Sequence, residues 1–189
     1  MLRQTPSQTV GPFFHDGLIA GGENILVNDQ TAGHPILIEG TVYDGDGAPV
    51  PDALIEIWQA DAAGFFPHLA DPNHQQADPA FRGFGRSDTV KEGKFRFVTV
   101  KPGAIKGPEG QPFAPFVAAR LFSRGLLTQL VTRIYFADEA ANEHDPVLAT
   151  LDPARWQTLL ARPEEIGGIT RYRFDIRFQG EGETVFFDA

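Results

Sequence analysis

Arg133 is the charged residue whose surroundings most need an explanation. It sits inside the run Leu130-Val131-Thr132-Arg133-Ile134-Tyr135-Phe136, and strand alternation turns it the same way as Val131 and Tyr135. A guanidinium on an apolar face wants an anion. One of the many Asp or Glu side chains would meet that need as a structural salt bridge. The other reading is a clamp for a substrate carboxylate, which an acidic protein needs in order to offset its own repulsive field.

The remaining reactive groups form no pattern of their own. His15, His34, His68, His74 and His144 lie in polar or turn-like contexts, without the i, i+4 or i, i+2 spacing that builds metal sites, and read as surface residues. His68 and His74 flank one loop and could converge. The chain has no cysteine, which excludes disulfides, thiolate metal sites and a cysteine nucleophile, and leaves His, Tyr, Asp and Glu as ligands. Asp44-Gly45-Asp46-Gly47 lacks the later oxygen donors of a calcium loop and reads as a turn. No G-x-S-x-G, G-x-G-x-x-G or Walker loop is present, so acyl-transfer and nucleotide chemistry have no local support. Arg86, just before a strand, suits bracing a turn as well as touching a ligand.

The elements that would carry these residues are short β-branched and aromatic runs: Ile36 to Tyr43, Ala53 to Gln59, Lys94 to Val100, Phe116 to Ser123, Leu130 to Phe136 and Tyr172 to Gln179. Turns fall at Asp44 to Gly47, Glu92-Gly93 and Pro102-Gly103. Many short strands at close spacing predict an all-β, antiparallel β-sandwich. Asp152 as a cap, Pro153 at the first position and an apolar face of Trp156, Leu159 and Leu160 predict a helix over Pro153 to Ala161. Residues 137 to 145 suit a second short helix. Phe65-Phe66, Phe113, Phe116, Phe122, Phe136 and Trp58 read as core. Residues 1 to 33 lack periodicity apart from Val10 and Phe13-Phe14, and read as an extended N-terminal arm needing a surface, here or on a partner. Residues 34 to 189 form one domain.

A formal net charge of −9 disfavours nucleic acid and anionic membranes. Met1 to Asp16 lacks a signal-type apolar core, and no stretch approaches the roughly 18 apolar residues of a membrane span, so the cytoplasm is the expected location.

Several ordered motifs together resemble the intradiol ring-cleaving dioxygenases. They are Thr5-Pro-Ser-Gln-Thr-Val-Gly-Pro-Phe13, Ile57-Trp-Gln-Ala-Asp61, Phe84-Gly-Arg86, Val100-Lys-Pro-Gly103, Thr132-Arg-Ile-Tyr-Phe136, Tyr172-Arg-Phe-Asp-Ile176 and the ending Gln179-Gly-Glu-Gly-Glu-Thr-Val-Phe-Phe-Asp188. The resemblance implies a transthyretin-like sandwich and cleavage of catechols between the hydroxyl-bearing carbons with O₂, at a ferric ion held by two tyrosines and two histidines. Matching from Trp58, Lys101-Pro102-Gly103 and Pro115, those ligand positions fall on Phe66, Ile105, Phe116 and Ala118. A hard Fe(III) needs anionic oxygen and imidazole donors, so the chain is expected to hold no metal. The resemblance further implies an α chain paired in a hetero-oligomer with a related β chain that holds the iron. Thr9, Gly11 and Pro12 from the arm and Arg133 from the strand would then line the substrate site at the α/β boundary. Phe13 stands where a tyrosine is more usual. Two alternatives remain: a catalytically inactive binding module for a partner protein or small aromatic ligand, and a metalloenzyme using Tyr43, Tyr135 or the loop histidines.

Overall fold

The computed structural model describes residues 6–11, 13–14, 16–107 and 110–188. The main strands are β1 (Pro35–Tyr43), β2 (Leu54–Trp58), β3 (Phe84–Asp88) and β4 (Lys94–Val100), followed by the hairpin β5 (Ile105–Lys106) and β6 (Pro112–Phe113). Then come β7 (Phe116–Phe122), β8 (Leu130–Phe136), the one-turn helix α1 (Pro153–Trp156), β9 (Leu160–Ile166), β10 (Ile169–Arg173) and β11 (Ile176–Arg177). Among the described residues no helix is long and apolar enough to cross a membrane.

The protein is mostly β, but its pairing is mixed. One path of neighbours runs β11-β1-β10-β9-β8-β7-β2-β3, with β4 added on β1, and β5-β6 stands apart. β1 runs parallel to β10 and β11, and β8 runs parallel to β9. The purely antiparallel expectation is corrected here, because strand direction depends on where a connection returns and not on the composition of the strands it joins.

Alternation decides which residues enter the core. Ile36, Ile38 and Val42 of β1 meet Phe95 and Phe97 of β4, Ile55 and Ile57 of β2, and Val117, Ala119 and Leu121 of β7 in one buried cluster. The opposite face of β7 and β8 carries the cross-strand pairs Phe116 with Tyr135, Ala118 with Arg133, and Arg120 with Val131. Of the aromatics expected in the core, Phe136 is there. Phe65, Phe66, Phe113, Phe116, Phe122 and Trp58 are half-buried.

Three local outcomes differ from expectation for identifiable reasons. The helix from Pro153 ends at Trp156, passes through a 3-10 turn at Gln157–Leu159, and leaves Leu160 and Ala161 to pair with Tyr135 and Phe136. Asp152 does cap it, accepting from the Ala154 amide at 2.7 Å. Pro163 bars helical continuation, and Gly167-Gly168, both at positive φ, close a hairpin between β9 and β10. The strand expected over Tyr172 to Gln179 is split at Phe174-Asp175, where the Asp175 carboxylate accepts from the Thr41 amide at 2.9 Å. Gly40 is required there, since a Cβ would lie 1.7 Å from the Phe174 carbonyl oxygen. Residues 137 to 145 do turn, as a 3-10 segment at Ala140–His144.

Residues 1–33 do not all stand apart from the domain. Leu26 is 1% exposed, and its amide donates to the Val98 carbonyl at 2.8 Å, while Asn28 and Thr31 hydrogen bond to the Ala80 carbonyl.

Candidate functional site

Of the four positions at which the resemblance places iron ligands, Phe116 and Ala118 lie on the outer face of β7, Phe66 in the loop after β2 and Ile105 in the β5–β6 hairpin. Trp58 lies opposite Ala118, which lies opposite Arg133. Phe66 stacks on Trp58 with centroids 5.8 Å apart and an interplanar angle of 11°. Its loop is held by buried Asp61, whose carboxylate accepts from the amides of Ala63, Phe65 and Asp78. Ile105 pairs across its hairpin with Phe113, whose ring meets that of Phe116 edge-on at 6.4 Å. The fold thus brings Phe66, Phe116 and Ala118 around one face with Ile105 joined to it through Phe113, and the side chains at the four positions are two phenyl rings, a sec-butyl group and a methyl. None can donate to a metal, so this face does not fit iron.

Arg133 lies among the same residues. Its guanidinium carbon is 4.2 Å from the Phe116 ring centroid, 5.6 Å from Phe113 and 5.9 Å from Phe187. Phe187 is carried there by the C-terminal segment, which runs beside β8 through the Phe187 amide on the Val131 carbonyl and the Thr132 hydroxyl on the Val185 carbonyl. Arg133 Nη1 donates to the Tyr135 hydroxyl at 3.2 Å, and that hydroxyl donates to Asp145 at 3.2 Å. Among the described residues no carboxylate lies within 4 Å of Arg133, so the direct salt bridge is not formed. Asp145 is 1% exposed and also accepts from the amides of Ala114, Val147 and Leu148.

Two of the three phenols, Tyr135 and Tyr172, are engaged in the protein's own bonds. Burial, ahead of the Asp145 contact, pushes the Tyr135 hydroxyl well above the ordinary phenol range, which keeps it protonated. Tyr172 is shifted the same way, first by burial and then by its hydrogen bond to Asp138 at 3.0 Å. Each hydroxyl is thus committed to a carboxylate of the chain itself, Tyr135 to Asp145 and Tyr172 to Asp138. Nδ1 of His68 accepts from the Ala70 amide, and Nδ1 of His74 contacts the Asp71 carbonyl. Among the described residues no three His, Asp or Glu side chains gather into a metal-sized group. Asp44 accepts from the Asp46 and Ala48 amides, which makes its segment a turn. Arg86 braces β2 against β3 through Glu56 at 2.7 Å.

A second group of residues forms where the arm meets the β7–β8 turn. The Thr9 hydroxyl donates to the Ser123 carbonyl at 3.4 Å and accepts from the Gly125 amide at 2.9 Å, so it grips both sides of Arg124. The Gly11 carbonyl accepts from the Phe14 amide, and Phe14 packs on Phe122 at 5.5 Å, while Phe13 is 76% exposed. Pro12 lies outside the described residues. A cavity of about 650 Å³ opens between the arm and this turn, lined by Val10, Phe14, Leu127 and Phe187 among others. Neither Arg124 nor Arg133 is in its lining; Arg124 adjoins the lining residue Ser123, and Arg133 stands two residues beyond the lining residue Val131, about 7 Å along an extended strand. Arg124, which sequence reasoning passed over, is the cation beside Thr9. Its side chain is 57% exposed and ion-paired to Asp52. A turn arginine carries no periodicity to mark it, and only the hydrogen bonds of Thr9 to its two neighbours single it out.

The architecture is shared with solved dioxygenases. The dioxygenase domain of a carbohydrate-binding fusion from Streptomyces sp. SirexAA-E superposes with a TM-score of 0.65 at 24% identity, covering 97% of this chain and 100% of that one. Catechol 1,2-dioxygenase from Acinetobacter sp. ADP1 gives 0.66 at 21% identity, covering 87% and 60%. These similarities define a dioxygenase-type β fold. The dioxygenase family model matches residues 9–180, and the chain belongs to that family. Over its whole length it is 45% identical to the protocatechuate 3,4-dioxygenase alpha chain of Pseudomonas putida, of which it covers 98%. It is also 34% identical, over 94% of its length, to the corresponding beta chain of Burkholderia cepacia, of which it covers 77%.

Proposed function

We propose that this chain is the α subunit of a protocatechuate 3,4-dioxygenase, working in the cytoplasm with a related β chain that holds Fe(III). The complex joins O₂ to protocatechuate and opens the ring between the hydroxyl-bearing carbons, giving 3-carboxy-cis,cis-muconate. The observation that carries this reading is the convergence of Phe66, Ile105, Phe116 and Ala118 around one face of a chain that is 45% identical throughout to an α chain. Such a face keeps the shape of a family site without the donors that bind its metal.

The chain's contribution to the reaction is then made at the partner's site. The iron supplies the redox chemistry; Thr9, Gly11 and Pro12 would wall the substrate from the α side. Thr9 fixes the start of the arm to the Ser123–Gly125 turn, and the Gly11 to Phe14 hydrogen bond turns the chain so that Phe13 points outward. For the substrate carboxylate the geometry favours Arg124, exposed next to Thr9, over Arg133, which is enclosed by rings. Arg124 is paired with Asp52, whose side chain is 17% exposed, so a substrate carboxylate would share the guanidinium with that partner.

Purifying the chain with and without its iron-holding partner tests the reading through bound iron and protocatechuate-dependent O₂ uptake. Iron and uptake confined to the complex are expected. Stoichiometric iron in the lone chain overturns it, and a stable complex without uptake would favour the inactive binding module.

A further inference from the structure

We infer that Arg133 is a plug: its guanidinium occupies the centre of the emptied metal face, so that this face is closed to cations as well as stripped of ligands. The inference rests on the reading of Phe66, Ile105, Phe116 and Ala118 as the family's ligand positions. Two of the four, Phe116 and Ala118, lie against Arg133, and a third, Ile105, is joined to it through Phe113. Phe116 presents its ring face at 4.2 Å, Ala118 is the direct cross-strand partner, and Ile105 pairs with Phe113, whose ring is 5.6 Å from the guanidinium. The fourth, Phe66, is drawn onto Trp58 and leaves the middle of the face to the arginine.

The electrostatic arrangement supports occupancy by a cation of this shape. An aromatic ring presents its negative face to a positive charge, so Phe116, Phe113 and Phe187 do for a planar guanidinium what anionic oxygens and imidazoles do for a metal ion. The Tyr135 hydroxyl accepts one N–H and passes its own hydrogen to Asp145, which sets the buried negative charge one bond further away. Charge balance is therefore met without a carboxylate touching the arginine. The open pocket on the same face, about 330 Å³ beside Trp58, Phe84 and Val131, reaches Ala118 but is not lined by Arg133. The room a metal would need is filled, and the open space lies beside it.

A second consequence follows for any attempt to rebuild the centre. Supplying the donors alone leaves a fixed positive charge where a trivalent cation must sit. Such like charges at contact distance in a partly buried site repel strongly.

The test uses the full chain and reads thermal stability first. Arg133→Ala should lower Tm by roughly 3–6 °C, from the loss of stacking and of the Tyr135 bond. Millimolar guanidinium chloride should restore at least half of that loss, whereas the same concentration leaves the wild-type Tm unchanged and sodium chloride restores nothing. An unchanged Tm for Arg133→Ala, or a loss that guanidinium does not repair, overturns the plug. A second arm compares iron content in the chain carrying F66Y, I105Y, F116H and A118H with and without R133Q. Iron at least tenfold higher when Arg133 is replaced supports the inference, and equal iron with Arg133 in place overturns it. Where the donor variants do not fold, the guanidinium measurement decides alone. Iron in the unaltered chain would instead sink the α-subunit reading, a result distinct from either failure of the plug.

Discussion

The outer face around Arg133 and the arm contact around Arg124 each present an arginine near aromatic side chains, and they differ in how completely the chain satisfies its own groups. Around Arg133 three rings, a tyrosine hydroxyl and, behind it, buried Asp145 meet the charge from within. At the arm, Thr9 clasps the turn, but Arg124 is 57% exposed and Phe13 is 76% exposed, and a cavity of about 650 Å³ opens beside their neighbours Ser123 and Phe14. A region that closes its own hydrogen bonds contributes to stability. One that leaves a guanidinium and a phenyl ring to solvent is shaped for something outside the chain.

Substitutions in the two regions should therefore separate stability from activity. The largest effect is expected at Asp145→Ala, which strands the amides of Ala114, Val147 and Leu148 and the Tyr135 hydroxyl. A loss of about 3 kcal/mol in urea unfolding follows if each buried donor is costly to leave unpaired. A change under about 1 kcal/mol would mean that water replaces the carboxylate, and that the face is less closed than described.

Deleting residues 1–14 should do the reverse. Turnover of protocatechuate by the complex should drop on the order of a hundredfold through misplacement of substrate, while the unfolding midpoint of the chain stays close to that of the full-length protein. Undiminished turnover with unchanged oligomer size would remove the arm from the site. Arg124→Ala is a finer cut: KM should rise about tenfold with kcat little altered, as for a contact made equally in ground and transition states. Should Arg133→Ala raise KM by that amount and Arg124→Ala leave it alone, the assignment of the two arginines is inverted.

The smallest effect is a pH dependence. Tyr135 and Tyr172 are held protonated in the folded chain above their ordinary range near 10, chiefly by burial. Unfolding frees them to ionise, so their contribution is fully present below about pH 10 and is lost as pH rises beyond it. Stability measured across that range should decline, and Tyr172→Phe should flatten the decline. An equal slope in that variant would assign the loss to other groups.

Much of this contrast could be read along the chain. The strands Lys94–Val100 and Leu130–Phe136 fall where β-branched and aromatic alternation put them, because period-two burial is a local property. The ligand positions and the arm motif were visible through ordered resemblance. Arg124 was not, because its significance comes from the hydrogen bonds by which Thr9, more than a hundred residues away in sequence, holds its neighbours Ser123 and Gly125. The short α1 was hidden for a related reason: a capped, amphipathic run predicts helix, and the pull of β8 on Leu160 and Ala161 is tertiary.

The sequence by itself determined the strand-rich class from residue type and spacing, and, through the ordered motifs that resemble a known family, the family and the absence of donor side chains at Phe66, Ile105, Phe116 and Ala118. Only the tertiary structure decided that β1 and β8 take parallel neighbours, that Leu26 belongs to the core, and that Arg133 rests on Phe116 while Arg124 stands beside the arm. Those outcomes depend on which distant segments share a face, and packing across the fold sets that, not the local order of residues.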